Sequence, residues 1–256
     1  MWRDLNAERA PGAGHVWIVG AGPGDPGLIT VKGRRALDAA DVVVYDRLVD
    51  PSLVEGREAI YAGKSPGNHS APQSEINATL IRLAQQGKNV VRLKGGDPFV
   101  SGRGGEEAEA LAEQGIGFTV IPAPTSAIAA LASAGIPVTD RRFASSVAIV
   151  TGHGGGPRPV DWRALASAVE TIVVLMGMTN LEPITGELLA GGLDPRTPAA
   201  IVENGTRPNQ RVIESDLAGL AAAAQEAALE SPSLVVFGQV VRLRERLAAS
   251  PTEARI

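Results

Sequence analysis

The sequence predicts an α/β protein made of two α/β domains with mainly parallel or mixed sheets. Two observations carry this. Short apolar runs rich in valine and isoleucine alternate with stretches of helical spacing along the whole chain, the pattern of strands joined by crossover helices. Several runs end in glycine-rich loops, above all Leu93 to Glu107, L-K-G-G-D-P-F-V-S-G-R-G-G-E-E. Such loops let backbone approach a ligand closely, and open α/β sheets bind ligands just outside the carboxyl ends of their strands.

Taken in order, residues 1–14 mix charges with Pro11 and read as a loose tail. Val16 to Val19 is a strand running into G-A-G-P-G-D-P-G, and Leu28 to Ala40 has helical spacing. Val42 to Tyr45 is a strand ending at Asp46, and Ala59 to Ala62 a third, followed by a polar loop. Ser74 to Gln86 is an amphipathic helix with Ile76, Leu80, Leu83 and Ala84 on one face. Val90 to Leu93 is the strand before the central loop, and Glu106 to Gln114 the helix after it. Phe118 to Ile121 is a strand, and Thr125 to Ala134 an alanine-rich helix closing at Gly135.

A boundary is expected where Pro137, Asp140 and two arginines cluster, giving domains 15–140 and 141–245. The second half alternates again. Strands are expected at Ser146 to Val150, Ile172 to Leu175, Ala199 to Val202 and Leu234 to Phe237. Helices are expected at Trp162 to Val169, Asn180 to Ala190 and Leu217 to Leu229, with a hairpin strand opening at Gln210.

Composition narrows the function. The net charge of −4 argues against bulk binding to nucleic acid or an anionic membrane. With no cysteine, and with His15, His69 and His153 far apart, no metal site is expected. No signal-type segment opens the chain, and the uncharged stretch Gln114 to Thr139 is broken by Pro122, Pro124 and Pro137. A cytoplasmic protein is expected.

The first glycine loop, Gly20 to Asp25, invites comparison with the dinucleotide fingerprint. That pattern needs glycine at its sixth position, where this chain has Asp25, and Pro23 interrupts the loop. Asp46 does end the next strand, where a ribose-binding carboxylate is expected. A nicotinamide-dependent oxidoreductase is therefore a rival on this loop alone.

The motifs together resemble the tetrapyrrole methylases. They are V-G-A-G-P-G-D-P-G-L-I-T at 19–30, V-V-Y-D-R-L-V at 43–49, the central loop, P-T-S-A-I-A-A at 124–130, M-G-M at 176–178 and V-E-N-G-T at 202–206. The resemblance spans about Val16 to Val241. Y-D-R-L-V is most similar to the branch that methylates uroporphyrinogen III, and with no further domain ahead of the motifs a single-function enzyme is expected.

The resemblance implies two α/β domains with S-adenosylmethionine in a cleft between them, in a homodimer. It implies C-methylation of uroporphyrinogen III at C2 and C7, giving precorrin-2 for cobalamin or sirohaem synthesis. Carried over by motif, the cofactor contacts are Pro23, Gly95, Gly96, Asp97, Val100, Thr125, Ser126, Met176 and Gly205. Asp46 and Lys64 are the implied acid–base pair. Arg47, beside Asp46, is the candidate for substrate carboxylates, which guanidinium binds in bidentate fashion. Arg103, Arg141 and Arg142 are weaker candidates. A methylase of a later corrin precursor and a non-catalytic adenosylmethionine-binding module are the alternatives. One departure stands out. Where the family commonly has glycine and a β-branched residue before Thr-Ser-Ala, this chain has Ala123 and Pro124, so that turn is expected to differ.

Overall fold

The computed structural model describes residues 14–63, 72–154 and 158–248. The chain groups into two units, Met1–Thr125 and Ser126–Ile256. The segment Ser126 to Asp140, expected with the first domain, thus groups with the second unit.

In the first unit the strands are β1 (His15–Gly20), β2 (Val42–Tyr45), β3 (Ala59–Tyr61), β4 (Asn89–Lys94) and β5 (Phe118–Ile121). They form one sheet in the order β3-β2-β4-β1-β5, with every pairing parallel. The helices are α1 (Val31–Asp38), α2 (Gln73–Gln85) and α3 (Gly104–Glu113). The period of two along each strand divides the core. Val16, Ile18, Val42, Val44 and Val90 pack on Ile76, Leu80 and Leu83 of α2 and Leu111 of α3. Trp17, Val19, Val43, Val91 and Leu93 pack on the other face with Ala36 and Leu37 of α1. A parallel sheet covered on both faces accounts for its nearly continuous apolar strands. Helix α1 starts three residues later than the spacing predicts. Asp25 caps a separate 3-10 turn, Pro26–Leu28, and the Thr30 side chain then caps α1 by accepting from the Gly33 N–H at 3.0 Å.

The second unit begins with α4 (Ser126–Ser133). Then follow β6 (Val147–Thr151), α5 (Trp162–Ala168), β7 (Thr171–Leu175), α6 (Leu181–Ala190), β8 (Pro198–Glu203), β9 (Arg211–Asp216), α7 (Leu220–Glu226), β10 (Ser233–Phe237) and α8 (Leu243–Ala248). Its sheet is mixed, in the order β6-β7-β10-β8-β9; only β6 and β7 pair in parallel. The hairpin expected near Gln210 is the antiparallel β8–β9 pair. Helix α7 is shorter than the alanine-rich run predicts. Asp216 Oδ1 accepts from the Gly219 N–H at 2.8 Å and holds residues 217–219 as a turn, while Ala228 at φ +46° ends the run. No helix among the described residues is long and apolar enough to cross a membrane.

Candidate active site

In an all-parallel sheet the carboxyl ends of all strands lie on one edge, so the loops after β1, β2, β4 and β5 emerge together. Those after β1 and β4 are joined by backbone. The Gly96 N–H donates to the Gly22 carbonyl at 2.7 Å, and the Gly22 N–H to the Gly96 carbonyl at 3.3 Å. Gly96 has φ +69°, and a Cβ placed on it would meet nothing within 4 Å, so backbone with positive φ faces open space there. Gly95 packs against Leu48 of the Y-D-R-L-V turn; a Cβ would fall 2.7 Å from Leu48 Cβ. Pro23 and Val100 are half-buried in these two loops, with the Val100 N–H donating to the Asp97 carbonyl at 3.3 Å.

Asp97 acts as a tie. Its Oδ1 accepts from the Phe99 N–H at 2.9 Å, and its Oδ2 accepts from the Ala123 N–H at 3.1 Å. The central loop is thereby fastened to the segment leading to Thr125. Each carboxylate oxygen keeps a second lone pair for a ligand. Ala123 is absent from the positive-φ residues, so an alanine at this turn costs no left-handed strain. Its methyl group occupies the place where a Cβ on Gly20 would fall, 2.6 Å away.

Beneath this edge lies a cluster of charge. Val90, Arg92 and Lys94 share the α2/α3 face of β4 by strand alternation. On the neighbouring strand Val42 and Val44 share it too, with Asp46 next in register. Arg92, Lys94 and Glu107 are 1%, 3% and 0% exposed. Arg92 donates from Nε to Glu107 Oε1 at 2.9 Å and from Nη2 to Asp46 Oδ1 at 2.5 Å. Lys94 Nζ lies 2.9 Å from the same Glu107 oxygen and 3.8 Å from Asp46 Oδ2. Gln73, at the start of α2, donates to Glu107 Oε1 at 3.1 Å. Burial holds the Lys94 ammonium below the usual lysine range, aided by the Arg92 charge and opposed by Glu107 and Asp46. The Asp46 side chain is 29% exposed and is the member of the cluster that reaches the edge.

Sequence reasoning found Asp46 but not Arg92, Lys94 or Glu107. A signal was present: two cations at alternate positions of an apolar strand, and a glutamate on the buried stripe Gly104, Glu107, Ala108, Leu111 of α3. Arg47 is exposed, and its side chain has no ion pair among the described residues. Arg103 and Arg142 are taken up by Glu106 and Asp140. Lys64 lies outside the described residues.

In the second unit, Leu234 of β10 pairs with Leu175 on one side and Val202 on the other. Met176 and Glu203 therefore flank Ser233, and the M-G-M and V-E-N-G-T turns share one sheet edge. Met176 has φ +53° and is 51% exposed, so it is not core filling. Asn204 and Thr206 are also left-handed, at +50° and +69°. Among the described residues six non-glycines have positive φ, and five of them, with Ser101 and Arg103, lie in the motif loops. Strain of this kind collects at functional sites. A Cβ on Gly205 would fall 2.3 Å from Ala130 Cβ, so glycine lets the V-E-N-G-T turn lie on α4, the helix that Ser126 opens. Gln210 fastens the two, accepting through Oε1 from Ser133 Oγ and from the Thr206 N–H, both at 2.7 Å. A concavity of about 620 Å³ between α6 and α7, lined by Met178, Glu182, Ala224 and Leu229 among others, contains none of the predicted residues.

This architecture has close parallels. A model of the tetrapyrrole (corrin/porphyrin) methylases matches residues 15–221. The siroheme synthase of Nitrosomonas eutropha is 48% identical over 248 residues, which cover 95% of this chain and 52% of that protein. The chain thus spans about half the length of the curated relatives it matches. The native uroporphyrin III C-methyl transferase of Thermus thermophilus is 42% identical, with a TM-score of 0.77 over 90% of this chain and 99% of that one. A structure of that transferase complexed with S-adenyl homocysteine gives a TM-score of 0.76 at 42% identity, again over 90% and 99%. Fold and likeness together define an enzyme of the methyltransferase class. The chain belongs to the tetrapyrrole (corrin/porphyrin) methylases.

Proposed function

We propose that the chain methylates uroporphyrinogen III at carbons C2 and C7 in turn, giving precorrin-2. The observation that carries the reading is the Asp46 carboxylate, held by Arg92 and partly exposed at the edge where the glycine loops emerge. The Y-D-R-L-V motif and the 42% identity to a uroporphyrin III C-methyl transferase support this substrate over a later corrin precursor. The other activities of the siroheme synthases are not assigned to this chain.

S-adenosylmethionine is the methyl donor and supplies the methyl group as an electrophilic sulfonium. The residues fit such a group. Adenosine and a zwitterionic amino acid need close backbone and a few polar anchors. The open face at Gly96 and the remaining lone pairs of Asp97 support this reading, and we assign the exposed Met176 thioether as a further contact. We assign Pro23, Gly95, Val100, Thr125, Ser126 and Gly205 to the same role.

Bond formation from a pyrrole carbon to the methyl group breaks the S–CH3 bond, whose electron pair leaves with the sulfur as the neutral thioether of S-adenosylhomocysteine, and the macrocycle is left an iminium-type cation. Asp46 then takes a proton from a bridging carbon. The electron pair of that C–H bond becomes a double bond and discharges the cation. Lys64 is assigned the matching donor role, and Arg47 a carboxylate of the substrate. The proposal includes a homodimer, which sedimentation tests.

The test is incubation with uroporphyrinogen III and methyl-labelled S-adenosylmethionine, followed by mass analysis. Two labelled methyl groups on the macrocycle are expected. Label on a later corrin precursor alone would overturn the substrate and leave the class standing. Asp46→Asn is expected to lower turnover on the order of 10²–10⁴-fold, the usual contribution of a positioned base, with adenosylhomocysteine affinity retained.

A further inference from the structure

A buried ion network is a poor source of stability, because the desolvation of its charges offsets their attraction, and apolar packing of equal volume often does as well. The cluster under the sheet edge holds two cations and one anion in almost complete burial, joined to a second anion that is part-exposed. Stability does not account for it. We propose that Arg92 is a positioning residue: its guanidinium, anchored through Nε on Glu107, holds the Asp46 carboxylate through Nη2 and aims its other oxygen at the substrate. The inference rests on Asp46 being the base of the reaction.

The geometry requires arginine. Its rigid fork directs two donors to two carboxylates at once, here at 2.9 and 2.5 Å. A weaker bond from Nη1 to the Val44 carbonyl at 3.4 Å ties the guanidinium to β2, the strand that carries Asp46. Glu107 is fixed in turn by Lys94 and Gln73, so α2, α3 and β4 all bear on the anchor. Lys94, 3.8 Å from Asp46 Oδ2, adds a second cation without a direct hydrogen bond and leaves that oxygen available. With all four side chains ionised their charges cancel. The exposed Arg103–Glu106 pair on the first turn of α3 lies outside this arrangement.

The test is a cycle of Arg92→Lys and Asp46→Asn, singly and together. It is read by single-turnover product formation, adenosylhomocysteine affinity and melting temperature. Lysine keeps the charge but lacks the rigid planar fork that directs two donors to two carboxylates at fixed angles, so the Asp46 carboxylate loses its fixed aim. The single Arg92→Lys change is expected to lower turnover on the order of 10²-fold, as a misplacement of about 1 Å does, with cofactor affinity within about twofold. In the Asp46→Asn background Arg92→Lys is expected to cost nothing further, since a residue acting through another has no separate effect once that other is gone. Equal loss in both backgrounds would show that Arg92 supports the fold and not Asp46, and would overturn the proposal. So would wild-type turnover in Arg92→Lys. Wild-type turnover in Asp46→Asn would instead remove the base reading itself. If Arg92→Lys does not fold, Arg92→Gln, uncharged and able to donate to one carboxylate, takes its place with the same expectations.

Discussion

Replacing Glu107 by glutamine is the most direct way to expose the energetics of the buried charge. The substitution keeps volume and removes one negative charge from a site of 0% exposure. Arg92 and Lys94, at 1% and 3% exposed, are then left with Asp46 as their sole anion in the cluster. Breaking a buried pair in this way typically costs about 3–5 kcal/mol. Glutamine still accepts through its carbonyl oxygen, which places the cost near 3 kcal/mol. For a chain of this size each kcal/mol lowers the melting temperature by about 2–4 °C, so a fall of roughly 6–12 °C is expected. The loss also has a sign in pH. Lys94 sits below the ordinary lysine value of 10.5, chiefly through burial, and Glu107 opposes that shift. Between the folded and unfolded values the unfolded chain holds more protons, so stability rises with pH there. Without Glu107 the folded value drops further, the window widens downward, and neutral Lys94 relieves the variant at lower pH than in the wild type. Melting curves of both proteins from neutral to alkaline pH are the assay, and the gap between them is expected to narrow as pH rises. A gap under about 2 °C at neutral pH, or one that widens with pH, would refute the reasoning.

Met176→Gly relieves a left-handed side-chain clash worth about 1–2 kcal/mol, so calorimetric stability is expected to hold or rise while adenosylhomocysteine affinity falls; a core methionine would lose stability. Gly205→Ala drives a methyl group into Ala130 and is expected to cost about 1–3 kcal/mol in denaturant unfolding, most of it recovered with Ala130→Gly. Glu170 accepts from the backbone N–H and hydroxyl groups of Ser145 and Ser146, and these bonds hold its carboxyl below the ordinary 4.5. Its stabilisation is present above that value and fades as pH falls through the folded value, so wild type and Glu170→Gln are expected to differ at neutral pH and converge in acid.

The strands were legible because a buried strand declares itself as an apolar run, and β2 and β5 lie where the residues place them. Helix ends were less so. The start of α1 depends on the Thr30 cap, and the short α7 on a turn that Asp216 closes, and side-chain capping competes with helical spacing on nearly equal terms. In the candidate site, Asp46 was legible by its place after a strand. Arg92, Lys94 and Glu107 were not, because buried charge is explained only by its partners. Glu107 is thirteen residues from Lys94 and fifteen from Arg92, brought close by a strand, a loop and a helix. The consequence of Ala123 was equally hidden, since it depends on Gly20 lying across from it.

The reciprocal bonds between Gly22 and Gly96 bear on the oxidoreductase rival. β1 and β4 are neighbours whose following helices, α1 and α3, pack on opposite faces of the sheet. In an open α/β sheet this is where the crevice opens and a dinucleotide lays its pyrophosphate. Here the crevice is laced shut. Both amides that would greet an anion already donate to carbonyls across the gap, and α1, whose positive end a phosphate would seek, begins only at Val31, beyond a separately capped turn. These two amides are therefore not free for a pyrophosphate, and the left-handed Gly96 backbone is what faces open space at this edge. Such a seam lacks the free amide pair on which a dinucleotide fold seats its pyrophosphate.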